Sequence, residues 1–193
     1  PRSTLFPYTP LFRSIVELEG VSEVVVVSTC NRTEYYTVFQ NGGGAELLIE
    51  WLRGKEGVGD DDIRHLYRRE GGQAVRHLCR VVGGLDSMVL GETEIFGQVK
   101  QAYSSALEAG LTGGILNRLF QRAFGVGKRL RRETSIQSGA TSVGSVAVEL
   151  AEKIFGHLRD STVLVLGAGE MSRVTAQSLL SRGAHSIIVA NRS

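Results

Sequence analysis

An apolar run that leads straight into a glycine-rich turn is the feature that most limits how this chain can fold. Residues 162–166 (TVLVL) are followed by Gly167-Ala168-Gly169 and then by a helical pattern. A second apolar run follows at residues 186–190. Strand, helix and strand in this order form a unit in which the two strands are parallel and the helix covers the sheet. The sequence therefore predicts an α/β fold in this part of the chain.

The turn after the first of these strands has the context of a dinucleotide-binding turn of the Rossmann type. Its glycines allow the backbone to approach a pyrophosphate, and the helix that follows offers unpaired N–H groups. An NAD-binding turn usually has an acid about twenty residues further on, whereas here the second strand runs into Asn191 and Arg192. Arg192 is suited to a 2′-phosphate, which favours NADP; a solvated arginine and a plain strand-to-helix turn are the alternatives. The predicted cofactor-binding residues are Gly167, Ala168, Gly169, Glu170, Met171, Ser172 and Arg192.

Cys30 lies between two predicted strands near the start of the chain. The run VVVV at residues 24–27 predicts a strand buried on both faces, and residues 35–39 predict a second strand. In α/β sheets, loops at strand ends line ligand crevices. Arg32 is expected to favour the thiolate of Cys30, which is the nucleophilic form. A small buried thiol is the alternative, so position alone leaves both roles open.

Helical spacing recurs over residues 45–53, 73–82, 95–107, 114–130 and 139–155. In the second of these segments, Val75, Leu78, Cys79 and Val82 share one face, which places Cys79 in the predicted core. At about 100° per residue, His77 points roughly 150° away from that face, so it is expected to face solvent or another domain. The basic residues within 118–132 predict either a solvated face or a contact with phosphate groups.

The composition excludes several classes of protein. A net charge of +2 and 42% hydrophobic residues are typical of a globular chain, and no apolar run approaches the ~20 residues of a transmembrane helix. Two cysteines are too few for a disulfide framework, which predicts a reducing, cytoplasmic location. The histidines show no metal-ligand spacing, so no metal site is predicted. Residues 83–94 mix acids and hydroxyls with apolar residues and glycines, which is typical of a polar ligand pocket.

The chain divides into three predicted parts. Residues 1–14 (PRSTLFPYTPLFRS) lack any helical or strand period and resemble translated adapter sequence, so we expect them to be non-native. Residues 15–157 are expected to form an α/β catalytic domain. Residues 158–193 are expected to be the start of a Rossmann-type NADP-binding domain.

Four stretches of the sequence together resemble glutamyl-tRNA reductase. They are STCNRTEYY at residues 28–36, GLDSMVLGETEIFGQVKQAY at residues 84–103, LNRLFQRAF at residues 116–124 and GAGEMS at residues 167–172. Their order and spacing agree with the family over residues 15–193. The resemblance implies NADPH-dependent reduction of glutamyl-tRNA to glutamate 1-semialdehyde through a cysteine thioester, in 5-aminolevulinate and tetrapyrrole synthesis.

The resemblance also assigns roles to residues. Cys30 is implied as the nucleophile, and His77 as a second catalytic residue. Acids of the pocket suit the α-ammonium group of glutamate, and Arg32 suits its γ-carboxylate. The implied partners are glutamyl-tRNA as substrate, a second copy of the complete protein in a homodimer, and the semialdehyde aminomutase, to which the product is channelled. The implied substrate-binding residues are Thr29, Asn31, Arg32, Ser87, Glu92, Thr93, Glu94 and Gln98.

Compared with the family pattern, the chain lacks a first strand with a GxxHKTA-like motif, the rest of the nucleotide domain and the C-terminal dimerisation helices. We therefore expect an internal fragment. A tRNA- or nucleotide-binding fragment without catalytic activity is the alternative reading. A thioester-forming aldehyde dehydrogenase is a weaker one, because its cofactor turn normally precedes the cysteine, whereas Cys30 comes before Gly167.

Overall fold

The computed structural model of the protein describes residues 14–40, 44–54, 58–138 and 142–192. The predicted non-native segment therefore lies outside the described residues, apart from Ser14. The strands are β1 (Val21–Ser28), β2 (Thr33–Phe39), β3 (Thr162–Leu166) and β4 (Ser186–Ala190). The helices are α1 (Gly44–Arg53), α2 (Asp60–Arg64), α3 (Gly72–Val82), α4 (Glu94–Glu108), α5 (Gly114–Glu133), α6 (Val143–Phe155) and α7 (Glu170–Ser181).

Strands β1 and β2 form an antiparallel hairpin that lies at the centre of the first core. The predicted burial of residues 24–27 is confirmed, because all four valines are at most 1% exposed. Helices α4 and α5 pack against the hairpin and cover it. Phe120 of α5 is fully buried and stacks on Tyr103 of α4, with 5.3 Å between ring centroids, while Tyr36 of β2 meets it edge-on at 5.4 Å. Aromatic packing thus joins the hairpin to both helices.

A buried carboxylate ties strand β1 to the start of α5. Glu23 accepts hydrogen bonds from the backbone N–H groups of Ile115 and Leu116, at 3.1 and 2.7 Å. These donors belong to the first turn of the helix, which has no partner within the helix for them. A Cβ atom at Gly113 would lie 2.7 Å from Glu23 Oε1, so glycine leaves the room that this contact needs.

The buried face of α3 differs from the face that the spacing predicts. Leu78 and Val82 are fully buried as expected, but Val81 is buried as well, while Val75 is 46% exposed. Cys79 is half-buried and packs against the core from its edge. The reason is that the C-terminal half of α3 contacts α5, where Gly127 approaches Val82 closely. The first turn of α3 lies beside an open groove instead.

The second unit contains the predicted strand–helix–strand arrangement. Strands β3 and β4 pair in parallel, with Leu166 opposite Ala190. Helix α6 packs against α7, and a small cluster of Val148, Leu158, Leu179 and Ala184 is buried there. The domain boundary expected at about residue 158 stays a prediction, and Val148 of α6 is part of this cluster. The predicted α/β fold class is confirmed.

None of the helices in the described ranges combines the length and the hydropathy that a bilayer span requires.

Candidate functional site

Cys30 lies at the tip of the hairpin that joins β1 to β2, and its side chain is exposed. Thr29 shapes this loop. Its Oγ1 accepts the backbone N–H groups of Asn31 and Arg32, both at 3.2 Å, and its own N–H donates to the Arg32 carbonyl at 2.8 Å. The flanking Ser28 and Thr33 face each other across the hairpin. The loop therefore holds the thiol at a defined place beyond the buried strand.

A cleft opens at this loop, with about 470 Å³ of space when the part open to solvent is included. We call it the Cys30 cleft. It brings together Cys30 and seven of the eight predicted substrate-binding residues; Thr93, just before α4, is exposed and is not among its lining residues. The predicted residues that line it are Thr29, Cys30, Asn31, Arg32, Ser87, Glu92, Glu94 and Gln98. Met88, from the segment 83–94, lines it too, and the lining residues that sequence reasoning missed are Ile95, Ser142 and Val143. Met171, predicted for the cofactor, also lines it.

The loop between α3 and α4 supplies one wall of the Cys30 cleft. Gly84 and Gly91 both have positive φ angles, +73° and +78°, in the region that side chains disfavour. The N–H of Gly91 donates to the Gly84 carbonyl at 3.0 Å, which closes the loop on itself. A Cβ atom at Gly84 would lie 3.1 Å from the backbone of Gly91, so the two ends of the loop approach each other closely. This closure orients Ser87 and Glu92 into the cleft.

A buried carboxylate that sequence reasoning missed lies under the cleft. Glu34 of β2 is 7% exposed. Its Oε1 receives a hydrogen bond from Arg32 at 2.9 Å and another from the Tyr67 hydroxyl at 2.6 Å, and Tyr36 donates to its Oε2. The second guanidinium nitrogen of Arg32 donates to the backbone carbonyl of Asp86. Arg32 is thus held in place by protein groups at the cleft wall.

His77 lies between two carboxylates rather than in solvent. Its Nε2 is 2.9 Å from Glu34 Oε1, and its Nδ1 is 3.3 Å from Asp86 Oδ2. Its side chain is only 13% exposed, and the ring of Tyr67 meets it edge-on at 5.4 Å. It points away from the apolar face of α3 as expected, but it faces Glu34 and Tyr67 rather than solvent or another domain. The segment that carries Tyr67 covers it, and helical spacing alone does not reveal that segment.

The ionisable groups around His77 respond to this arrangement. Burial acts to raise the pKa of Glu34, but hydrogen bonds from Tyr36, Tyr67 and His77 outweigh it, so the pKa lies below its ordinary value of 4.5. Burial and the negative charge of Glu34 raise the pKa of Tyr36, and burial and the hydrogen bond to Glu34 raise that of Tyr67. The hydrogen bonds from Arg80 lower the pKa of Asp86. The cluster therefore holds two ionised carboxylates at neutral pH.

The two thiols have different surroundings. Cys30 is exposed at the cleft, whereas Cys79 is half-buried in α3, and burial raises the pKa of the Cys79 thiol. A thiol kept in its protonated form reacts slowly, because the thiolate is the nucleophile. Of the two, Cys30 is the one suited to covalent chemistry. Among the described residues, no cluster of histidine, cysteine and acidic side chains is arranged to hold a metal ion.

The glycine turn follows β3 and leads into α7. Gly167 has a φ of +104°, and its N–H donates to the Ala190 carbonyl at 2.7 Å. Gly169 precedes the helix without a side-chain cap, and a Cβ atom there would meet nothing within 4 Å. Because β3 and β4 are parallel neighbours, the turn and the exposed Arg192 lie at the same edge of the sheet. This edge is where nucleotides bind in open α/β sheets, and its open backbone fits a pyrophosphate.

Glu34 and Tyr36 carried a signal that the sequence reading did not use. They alternate with Tyr35 along β2 and point to the buried side of the hairpin. An acid at a buried strand position needs partners, which predicts a polar cluster. Its distant partners Tyr67 and His77 come from the loop before α3 and from α3 itself, and no spacing rule connects them to Glu34.

Residues 8–134 match the protein family described as glutamyl-tRNAGlu reductase, N-terminal domain. Residues 149–193 match the family described as shikimate / quinate 5-dehydrogenase. The first match covers most of the first unit, including the Cys30 hairpin and α3. The second match covers β3, the glycine turn and β4. Because the matched family is one of dehydrogenases, the match supports a nucleotide cofactor of the dehydrogenase type.

Individual proteins agree with these matches. The glutamyl-tRNA reductase of Akkermansia muciniphila is 56% identical over 181 residues, which is 93% of this chain and 53% of that protein. That of Desulforudis audaxviator is 47% identical, over 95% of this chain and 41% of its own length. The structure of the glutamyl-tRNA reductase from Methanopyrus kandleri aligns with a TM-score of 0.64 and 44% identity, over 97% of this chain and 44% of that one. The chain thus spans about half the length of the curated relatives it matches.

Proposed function

The chain belongs to the glutamyl-tRNA reductase family, and we propose that it carries the site at which glutamyl-tRNA is converted to glutamate 1-semialdehyde through a thioester on Cys30. One observation carries this proposal. The Cys30 cleft gathers an exposed thiol, one arginine and two acids, Glu92 and Glu94, at a single opening. These groups match a substrate that has an ester carbonyl, a carboxylate and an ammonium group.

In the first step, the thiolate sulfur of Cys30 attacks the carbonyl carbon of the aminoacyl ester. The sulfur–carbon bond forms and the bond between that carbon and the terminal ribose oxygen breaks. The leaving oxygen takes up a proton, so the tRNA departs with a free hydroxyl group. A thiolate suits this exchange because it is a strong nucleophile and leaves readily in the next step.

Recognition of glutamate is proposed to use opposite charges. Arg32 would pair with the γ-carboxylate, and Glu92 and Glu94 with the α-ammonium group. Glu34 and the Asp86 carbonyl hold the Arg32 guanidinium at the wall of the cleft. His77 is not among the residues that line the cleft, but it shares Glu34 Oε1 with Arg32. We therefore assign His77 as a positioning residue that acts through Glu34.

For the reduction, we propose NADPH at the glycine turn. Gly167 to Ser172 would face the pyrophosphate and Arg192 the 2′-phosphate. NADPH bound there would supply the hydride that reduces the thioester carbon. Breaking of the carbon–sulfur bond would then release the aldehyde and return Cys30 to the thiolate. Met171, two residues after Gly169, also lines the Cys30 cleft, which supports a connection between the two sites.

For the whole protein, we propose the biological setting that the family implies: glutamyl-tRNA as substrate, a homodimer, transfer of the semialdehyde to its aminomutase, and a cytoplasmic location in tetrapyrrole synthesis. A fragment that binds tRNA or nucleotide without catalysis remains the competing function. The two differ in whether glutamate becomes bound to the protein.

The proposal is tested by incubating the chain with labelled glutamyl-tRNA without NADPH and measuring protein-bound glutamate. We expect label on the wild type and on Cys79→Ser, and none on Cys30→Ser, because a serine hydroxyl is far less acidic than a thiol. Label on Cys30→Ser together with its loss from Cys79→Ser would contradict the assignment. A wild-type chain that binds tRNA and takes up no label would favour the binding fragment.

A further inference from the structure

A wide groove rich in arginine lies beside His77, outside the Cys30 cleft. It encloses about 1270 Å³, which exceeds the roughly 300–1,000 Å³ of small-molecule sites. Four arginines line it, from the loop before α3 and from α3 itself. We call it the arginine groove, and its basic residues are Arg68, Arg69, Arg76 and Arg80.

The four arginines differ in how far their charge is already neutralised. Arg68 pairs with Glu46 and Glu70, and Arg80 donates twice to Asp86, at 2.9 and 2.6 Å. Arg69 stacks over the ring of Tyr67, with its guanidinium carbon 5.5 Å from the centroid. Within the described ranges, no carboxylate lies within ion-pair distance of Arg69 or Arg76. These two exposed cations are therefore available to an anion from outside.

The backbone adds to this positive potential. Helix α3 begins at Gly72, and its N-cap Gly71 provides no side-chain hydrogen bond. Gly72 and Gln73 both line the groove. The positive end of an eleven-residue helix thus opens toward the same space as Arg69 and Arg76. The helix dipole and the guanidinium groups together favour a bound anion such as phosphate.

The loop between α3 and α4 lines both the arginine groove and the Cys30 cleft. Asp86 lines the groove, and the next two residues, Ser87 and Met88, line the cleft. Arg32 lines the cleft and donates to the carbonyl of Asp86. The groove therefore lies next to the opening at which the ester carbonyl of the proposed substrate would meet Cys30.

From these observations we infer that the arginine groove binds phosphate groups of the single-stranded 3′ end of the substrate tRNA, through Arg69 and Arg76. This inference rests on the proposed function, because it takes the substrate to be an aminoacyl ester of tRNA. The basic face of α5 is the competing surface, and Arg122 and Lys128 there are exposed as well.

The test measures binding of uncharged tRNA to the full chain as a function of salt. Each single-strand phosphate contact contributes about 0.7 to the slope of log affinity against log salt. The double variant Arg69→Ala/Arg76→Ala should reduce that slope by about 1.4 and weaken binding roughly 25-fold at 0.1 M salt. The matched control, Arg122→Ala/Lys128→Ala, removes the same charge and should have a clearly smaller effect. Fluorescence of Trp51, the sole tryptophan of the chain, verifies that each variant is folded.

Three results would overturn the inference: no tRNA binding by the wild-type chain, an unchanged slope in the groove variant, or equal losses in both double variants. A small glutamyl thioester without RNA separates this failure from failure of the proposed function. If it acylates Cys30 in the wild type and in the groove variant alike, the chemistry stands regardless of the groove. If neither the small glutamyl thioester nor glutamyl-tRNA acylates the wild type, the proposed function fails.

Discussion

The two units of this chain are stabilised to different degrees by their interiors. In the described residues, the first unit has 22 buried apolar residues in one core, whereas the second has four. In the second unit, alternate residues of β3 lie exposed, among them Leu164 at 58% and Leu166 at 76%, and Ile188 of β4 is 52% exposed. Parallel sheets are normally covered on both faces. The first unit can therefore hold a precise site, and the second contributes mainly a turn and a helix start.

The largest expected effect on the free energy of unfolding comes from truncating a buried side chain in each core. Phe120→Ala should cost about 3–5 kcal/mol in unfolding free energy, because Phe120 is fully buried among aromatic rings. Leu179→Ala should cost about 2 kcal/mol, the low end for such a change, because a four-residue cluster relaxes easily.

The two units can be followed separately. Trp51 packs against the first core, so its fluorescence reports unfolding of the first unit, and hydrogen exchange in β3 and α7 reports the second. Phe120→Ala should shift the Trp51 transition, and Leu179→Ala should raise exchange in the second unit and leave that transition in place. If Leu179→Ala shifts the Trp51 transition as much as Phe120→Ala does, the two cores unfold as one.

The second test concerns the buried charge of the first unit. Glu34→Gln should lower the unfolding free energy by about 1–3 kcal/mol at pH 7, because Arg32 and His77 lose a charged acceptor. The folded-state pKa of Glu34 lies below 4.5, so the ionised form stabilises the fold above that pH and this contribution is lost as pH falls through the folded-state pKa. The difference between wild type and variant should therefore shrink below pH 4.5.

The control for this pH dependence lies in the second unit. Glu149 pairs with Lys153 on the exposed face of α6, where solvent and salt screen the interaction. Glu149→Gln should leave the Trp51 transition unchanged from pH 7 to pH 3. A difference between wild type and Glu34→Gln that stays constant through acid would contradict the assigned ionisation of Glu34.

The smallest expected effect is cofactor protection of the second unit alone. NADP⁺ at ten times its Kd should stabilise the unit that binds it by about 1.4 kcal/mol. We expect slower hydrogen exchange around Gly167 and α7, with no shift of the Trp51 transition. NADP⁺ should bind roughly ten- to a hundredfold more tightly than NAD⁺, and Arg192→Ala should remove this preference. Equal binding of both cofactors by the wild type would contradict the role of Arg192.

Much of the fold was accessible from local pattern. The TVLVL run, the glycine turn and the SIIVA run predicted β3, the start of α7 and β4, because each depends on residues adjacent in the chain. The valines of residues 24–27 were predicted as buried for the same reason. The prediction for α3 was partly wrong, since Val75 is exposed and Val81 is buried. Spacing defines which residues share a face, but the neighbouring helix α5 decides how far along α3 the burial extends.

In the candidate site, too, some features follow from local sequence and others only from tertiary packing. The sequence alone determined that a cysteine follows a buried strand into a polar loop, and that a glycine-rich polar segment lies near a histidine on a helix. Only the tertiary structure decided that Glu34 joins Arg32 to His77, and that the loop between α3 and α4 lines both the arginine groove and the Cys30 cleft. Backbone propensity and periodicity act over a few residues, whereas a buried carboxylate finds its hydrogen-bond donors wherever packing brings them, here from residues 2 to 43 positions away.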